Sequence, residues 1–265
     1  MPEEHYISVD QLPRAEITLP IEGPPFTRPE PALIEQLSHV SAATASATLH
    51  KMGVRHTFMQ GPVARQLGAK VVGPAVTLQF MPQREDVASG EGQERVEKTS
   101  ALWAVFETVQ PGDVLVVQAF GDPYTGCMGE MLTTYFKGRG GAGIVVDGCV
   151  RDFPKIRATG VPLWSVGVTP NYASQAGLFP WAYNVPVACA RVLVLPGDII
   201  IADDDGAVVV PQQIAPEVAR VTLEHEEWEE FSRIKLAEGG ALRKYYPLNE
   251  EGQREYEEWR RQQGR

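Results

Sequence analysis

Glu130 and the pair Arg151-Asp152 are separated by twenty residues in the stretch GEMLTTYFKGRGGAGIVVDGCVRD, and their chemical types suit work on a small oxo acid. A guanidinium is a permanently charged planar fork that matches a carboxylate or a developing enolate. An aspartate offers hard oxygen suited to Mg²⁺ or Mn²⁺. A glutamate can hold a water or take a proton. Each residue also has a plainer reading. Asp152 precedes Phe153-Pro154, a pattern that caps a short helix, here Phe153 to Thr159. Arg151 reads equally as a surface charge, and Glu130 as a first-turn acid facing a helix dipole. Capping and metal binding are compatible in one aspartate.

The intervening residues predict one helix and one strand. Met131 to Lys137 lacks Gly and Pro and carries good helix formers, the glycines from Gly138 to Gly143 stop the helix, and Ile144-Val145-Val146 reads as a buried strand. The start of the helix and the exit of the strand then become neighbours. Gly129 is expected to let the chain turn sharply, leaving the N–H groups of Met131 and Leu132 free for a bound anion such as a carboxylate.

The rest of the chain sets the frame. With 265 residues, 43% of them hydrophobic, it can bury a full core without needing two large domains. Residues 1–31 read as a Pro-rich N-terminal arm in which PIEGPPFTRPEP cannot be helical throughout, expected to pack over the core or a neighbour. Residues 32–215 alternate helical stretches with short Val-, Ile- and Leu-rich strands, which defines an α/β class. Residues 216–265 form a charged C-terminal tail broken at Gly239-Gly240 and Pro247, read as two helices. Its anchors Trp228, Phe231, Tyr245, Tyr246, Tyr256 and Trp259 imply docking on the core or on an adjacent subunit. A net charge of −10 argues against nucleic acid and against an anionic membrane. The polar, acidic start and the lack of a long apolar run lead to the expectation of a cytoplasmic protein.

Other motifs carry less. Gly138-Arg139-Gly140-Gly141-Ala142-Gly143 matches a dinucleotide fingerprint by letter, but it follows a helix and opens a strand, the reverse of what pyrophosphate binding needs. The same fault counts against an S-adenosylmethionine site. Asp203-Asp204-Asp205-Gly206 lacks the closing Glu of a calcium loop and reads as a hairpin turn. Cys127, Cys149 and Cys189 have no C-x-x-C spacing, and Cys149 has no nearby His to make it a nucleophile. His5, His39, His50, His56 and His225 show no metal-ligand spacing.

An acidic residue, twenty residues, then Arg-Asp, together with LSHVSAATASATLHKMGV, KVVGPAVTLQF, PGDVLVVQAF and LPGDIIIADDDGAVVVP in that order, resembles the RraA-like superfamily over residues 32 to 215. That superfamily holds the class II 4-hydroxy-4-methyl-2-oxoglutarate and 4-carboxy-4-hydroxy-2-oxoadipate aldolases and the regulators of ribonuclease E. The resemblance implies a swivelling α/β/β/α sandwich, a homotrimer or homohexamer, and sites shared between subunits. It implies that Gly129, Glu130, Met131 and Leu132 contact substrate, that Arg151 binds the carboxylate and carbonyl region, and that Asp152 ligates Mg²⁺ or Mn²⁺. Arg151 and Glu130 then carry the catalysis, and the C4-hydroxyl proton goes to a metal-bound water or to one held by Glu130. Pyruvate would be one product, and oxaloacetate decarboxylation a side activity. The aldolases usually have Asp where this chain has the longer Glu130. They also take an acid from a neighbour's C-terminal region, for which Glu224, Glu226, Glu227 and Glu229 are candidates. A non-catalytic ribonuclease regulator and an aldolase for sugar-derived 2-oxo-3-deoxy acids are the rival readings.

Overall fold

The computed structural model describes residues 17–87, 98–172 and 177–264. His5 and the first half of the Pro-rich arm lie outside the described residues. Four layers follow from strict alternation along the strands. The main sheet runs β1 (Ile21–Glu22), β7 (Leu178–Tyr183), β3 (Val71–Pro82), β4 (Val114–Gly126), β5 (Gly143–Val150), β6 (Leu163–Val168) and β2 (Val63–Ala64). Neighbours among β3, β4, β5 and β6 are parallel. Helices α3 (Ala101–Thr108), α4 (Glu130–Gly138) and α5 (Phe153–Thr159) are the crossovers between these parallel strands and lie on one face.

The other face meets two hairpins, β8 (Val187–Cys189) with β9 (Val192–Val194) and β10 (Ile199–Asp203) with β11 (Gly206–Val210). Leu115, Val117, Ile144 and Val146 point into the core under α3 to α5, whereas Val114, Val116 and Val145 point into the core between sheet and hairpins. β5 is buried along its whole length, which is why it reads as an unbroken apolar run. The β10–β11 hairpin alternates in the same way. Ile200, Ala202, Ala207 and Val209 face the sheet, while Ile199, Ile201, Val208 and Val210 face a third core under α1 (Pro31–Ser38), α2 (Ala42–Lys51) and α6 (Ala215–Ala237). The result is an α/β/β/α sandwich. β3 ties its middle layers together, pairing with β10 through Val71–Pro74 and with β4 through Ala75–Gln79.

Both ends of the chain add to this frame. In the described part of the arm, Ile21 and Glu22 pair with β7, and Arg28 reaches Asp113 through two bonds of 2.8 and 2.7 Å. The tail forms three helices rather than the expected two, because the Gly239-Gly240 break is followed by the short α7 (Leu242–Tyr245) before Pro247 and α8 (Glu250–Gln262). Its anchoring is also divided. Val218 and Ala219 of α6 dock on α1 and α2, but Phe231 packs with Tyr245, Tyr256 and Trp259 of the tail itself. The aromatic residues expected to dock on the core or on an adjacent subunit pack, within this chain, mostly against one another.

Candidate functional site

Two backbone hydrogen bonds bring the ends of the helix–strand unit together. The Cys127 N–H donates to the Cys149 carbonyl at 2.9 Å, and the Arg151 N–H donates to the Met128 carbonyl at 3.0 Å. The start of α4 and the exit of β5 are therefore stitched side by side. α4 itself is held by Phe136, which is fully buried and meets Phe106 edge-on with ring centroids 6.2 Å apart, a contribution of about 2 to 3 kcal/mol from apolar burial. Gly141 makes room for it, since a Cβ there would overlap the Phe136 ring.

Gly129 is the meeting point. Its backbone is extended, at φ −128° and ψ −167°, so the sharp turn expected there does not explain the glycine. A Cβ at this position would lie 2.9 Å from Asp152 Oδ2 and 3.2 Å from Arg151 Nε, so both side chains would have to shift to admit it. The first bond of the helix runs from the Thr133 N–H to the Gly129 carbonyl, which leaves the N–H groups of Glu130, Met131 and Leu132 ahead of it at the positive end of the helix.

Asp152 answers the question of capping. It occupies the N-cap position of α5, but its side chain makes no capping bond, and its backbone is left-handed at φ 56° and ψ 30°. A non-glycine residue pays of order 1 kcal/mol or more for that conformation. The α5 amides of Lys155 and Ile156 are served by its carbonyl instead. The carboxylate points back toward Gly129, with Oδ2 3.7 Å from Arg151 Nε, and both side chains are about two-fifths exposed at 41% and 44%. Glu130 sits on the rim, accepting a bond from the Thr134 hydroxyl at 3.2 Å.

Gly129, Glu130, Met131, Leu132, Arg151 and Asp152 line one cleft of about 150 Å³. All six residues expected at the site are thus brought together. The cleft also contains Leu102, Trp103 and Tyr172, for which the sequence offers no local signal. Tyr172 arrives because its strand-like segment bridges to Gly126, a pairing between residues 46 positions apart.

Burial works against the three thiols as nucleophiles. Cys149 is buried, with Sγ 3.3 Å from the Pro123 carbonyl oxygen, and burial pushes its thiol up from the ordinary range. Burial does the same to Cys127 and Cys189. Among the described residues, no three His, Cys, Asp or Glu side chains cluster as a metal cage. Asp152 nonetheless fits a Mg²⁺-type ion. Such ions keep several waters and use one or two carboxylates plus oxygens of the substrate, and this carboxylate is solvent-facing and uncommitted to a cap.

The acidic tail residues are engaged within this chain. Glu224 accepts from Arg220 at 2.9 Å, Glu226 from the Thr44 hydroxyl at 2.8 Å and Glu227 from Arg260 at 3.0 Å. Glu229 lies 3.1 Å from His225 Nε2. None of the four lines this chain's cleft. No helix among the described residues is long and apolar enough to cross a membrane.

An α/β/β/α sandwich with Arg-Asp at a strand exit beside a glycine-led helix start defines a class, and the chain belongs to the RraA-like family, whose Aldolase/RraA model matches residues 37–209. A Halalkalibacterium halodurans protein named "Putative 4-hydroxy-4-methyl-2-oxoglutarate aldolase" is 36% identical over 143 residues, covering 54% of this chain and 60% of that protein. Protein DlpA of Legionella pneumophila is 28% identical over 213 residues, 80% of this chain but 33% of its own length. The chain therefore spans less than two thirds of either relative. Among solved structures, Streptomyces coelicolor RraAS2, described as an unusual member of the RNase ES inhibitor RraA protein family, is 58% identical. It superposes with a TM-score of 0.73, covering 79% of this chain and 99% of that one.

Proposed function

We propose that this protein is a carbon–carbon lyase of the class II aldolase type, cleaving a 4-hydroxy-2-oxo acid to pyruvate and a second carbonyl compound. The observation that carries the reading is the convergence of the α4 N-terminus, Arg151 and an uncapped Asp152 around Gly129 in one cleft. The amides of Met131 and Leu132 receive the substrate carboxylate at the positive end of the helix. Arg151 donates to the carboxylate and C2 carbonyl oxygens. As the C3–C4 bond breaks, the C4 hydroxyl loses its proton and becomes a carbonyl, while the bonding electrons move to C3 and onto the C2 oxygen. The guanidinium interacts more strongly with that developing enolate oxygen than with the neutral carbonyl, and this difference lowers the barrier. Glu130 holds the water that accepts the C4-hydroxyl proton, and protonation at C3 completes pyruvate. Asp152 would hold a divalent cation, Mg²⁺ or Mn²⁺, which when bound would supply further positive charge to stabilise the enolate. Oxaloacetate decarboxylation passes through the same enolate and is expected as a side activity. We place the enzyme in the cytoplasm and expect a homotrimer or homohexamer, which light scattering at micromolar concentration would test.

A coupled assay for pyruvate release, with Mg²⁺ or Mn²⁺, across 4-hydroxy-4-methyl-2-oxoglutarate, 4-carboxy-4-hydroxy-2-oxoadipate, sugar-derived 2-oxo-3-deoxy acids and the uncharged-tail acid 4-hydroxy-2-oxo-4-phenylbutanoate tests the reading. Metal-dependent release from any of them supports it, and the preferred acid fixes the branch. A second reading is favoured by the 58% identity to RraAS2, namely a non-catalytic protein that binds and slows an RNase E-type ribonuclease. Absence of pyruvate from every acid, with inhibition of RNA cleavage at stoichiometric protein, would replace the lyase by the regulator.

A further inference from the structure

The oxo-acid cleft continues beyond its polar end. A second cleft of about 210 Å³ lies between α3 and α4, lined by Trp103, Phe106, Glu107, Met131, Leu132 and Tyr135. Trp103, Met131 and Leu132 line both clefts, so the two form one trough along the start of α4. Its two ends differ in chemistry. Arg151, Asp152 and the helix amides make one end charged, whereas the other is walled by Phe106, Trp103 and Tyr135. Three of its apolar residues are unusually exposed for their size, Met131 at 76%, Tyr135 at 45% and Trp103 at 38%. Among the described residues lining the apolar end, Glu107 is the one carboxylate.

We propose that this apolar end is the subsite for the distal part of the substrate and that it selects an uncharged aryl or branched-alkyl substituent over a distal carboxylate. The inference rests on the reading of the polar end as an oxo-acid site and adds the substrate class. An oxo acid anchored at Gly129 and Arg151 projects its far end along α4, where removal of apolar surface from water favours a hydrocarbon group. A second carboxylate there would be desolvated against aromatic walls and would face Glu107 of like charge, so it is excluded twice.

Isothermal titration of the full chain in Mg²⁺ with pyruvate, 2-oxo-4-phenylbutanoate and 2-oxoglutarate reads the subsite without requiring turnover. The phenyl acid should bind at least about tenfold more tightly than pyruvate, the size of effect that burying several apolar carbons produces. 2-Oxoglutarate should gain nothing. Tyr135→Ala should remove at least about threefold of the phenyl advantage while pyruvate binds as before. Glu107→Gln should raise the affinity for 2-oxoglutarate relative to pyruvate. Tyr135 is half exposed and Glu107 exposed, so both variants should fold, which circular dichroism would verify. Arg151-dependent binding with equal affinities for all three acids would overturn the subsite and leave the oxo-acid site standing. A preference for 2-oxoglutarate would also overturn it. Failure of all three to bind would sink both.

Discussion

The entry and exit ends of the strands treat their aspartates in opposite ways. Two Pro-Gly-Asp turns lead into strands, and in both the carboxylate is buried and fully employed. Asp113, at the entry of β4, takes bonds from Arg28 and from the Gln110 N–H at 2.8 Å. Asp198, at the entry of β10, takes the N–H groups of Leu195 at 2.9 Å and Gln212 at 3.2 Å. At the exit of β5, Asp152 is exposed and left-handed, and its carboxylate makes no capping bond to the helix it begins. An acid at a turn normally satisfies the turn; one held in a costly conformation while declining to do so is available for something else. In parallel sheets that place is the carboxyl end of the strands.

The largest effect expected from this contrast is on stability at the entry end. Asp113→Ala removes both Arg28 bonds and the Gln110 partner, leaving a guanidinium whose side chain is only 23% exposed without its charge. It should cost about 3 kcal/mol in denaturant unfolding. Pyruvate release per folded molecule should be unchanged. At the exit end the loss is expected in the other quantity. Asp152→Asn keeps the shape and loses the charge that holds a dication, so turnover should fall at least about 100-fold, or roughly 2.7 kcal/mol of barrier. Its unfolding midpoint should match the parent. A variant that unfolds, or one that turns over normally, would end the distinction between the two ends.

Arg151→Lys is the next step down. It retains the charge and gives up the planar fork, so kcat/KM should drop at least about tenfold, or roughly 1.4 kcal/mol. The same rate for Lys and Arg would mean that Arg151 acts only as a distant charge.

A pH series sharpens the comparison further. Burial raises the carboxyl of Asp198, and also that of Asp147 in β5, above the ordinary carboxylate range. A carboxyl raised in the folded state binds its proton more tightly there than in the unfolded chain, so it adds stability at low pH that disappears as pH rises through the folded value. Asp147 accepts the Ala190 N–H at 3.0 Å, a bond the amide oxygen of Asn can replace. The stability of the parent relative to Asp147→Asn should therefore decline as pH rises from the ordinary Asp range toward neutrality. Urea midpoints at several pH values would show it, and a rising difference would contradict the assignment.

How far these features could be read beforehand depends on how local their causes are. The helix from Glu130 and the strand after Gly143 are written in their own residues, through a Gly- and Pro-free run followed by an apolar one. So is the Asp203-Asp204-Asp205-Gly206 turn, where Asp203 Oδ1 accepts the Asp205 N–H at 3.0 Å. Features decided by distant partners were not legible. Ile21 and Glu22 become a strand only because β7 offers a free edge. Tyr172 enters the cleft through Gly126, and the tail aromatics find one another across two helix breaks. The left-handed Asp152 lies between these cases. Its position before Phe153-Pro154 marks a helix start correctly, but its side chain lies against Gly129, a residue the local pattern does not contain.

The smallest effect expected is at Glu130, and its smallness is informative. Glu130 lies on the rim of the cleft, is partly exposed, and holds its carboxylate near the Thr134 hydroxyl at 3.2 Å. A residue that positions a water tolerates the loss of one methylene if the water can shift to follow, whereas a residue that bonds the reacting atoms directly does not. Glu130→Asp also keeps a first-turn acid at the α4 N-terminus, so the helix should lose less than about 0.5 kcal/mol. Turnover should fall less than about tenfold, with the loss in kcat rather than KM, because proton removal changes and carboxylate binding at the helix amides does not. Glu130→Gln supplies the control: it keeps the length and loses the charge, and should be the slower of the two. If Asp is the more damaging replacement, Glu130 touches the substrate itself and the water-mediated role is wrong.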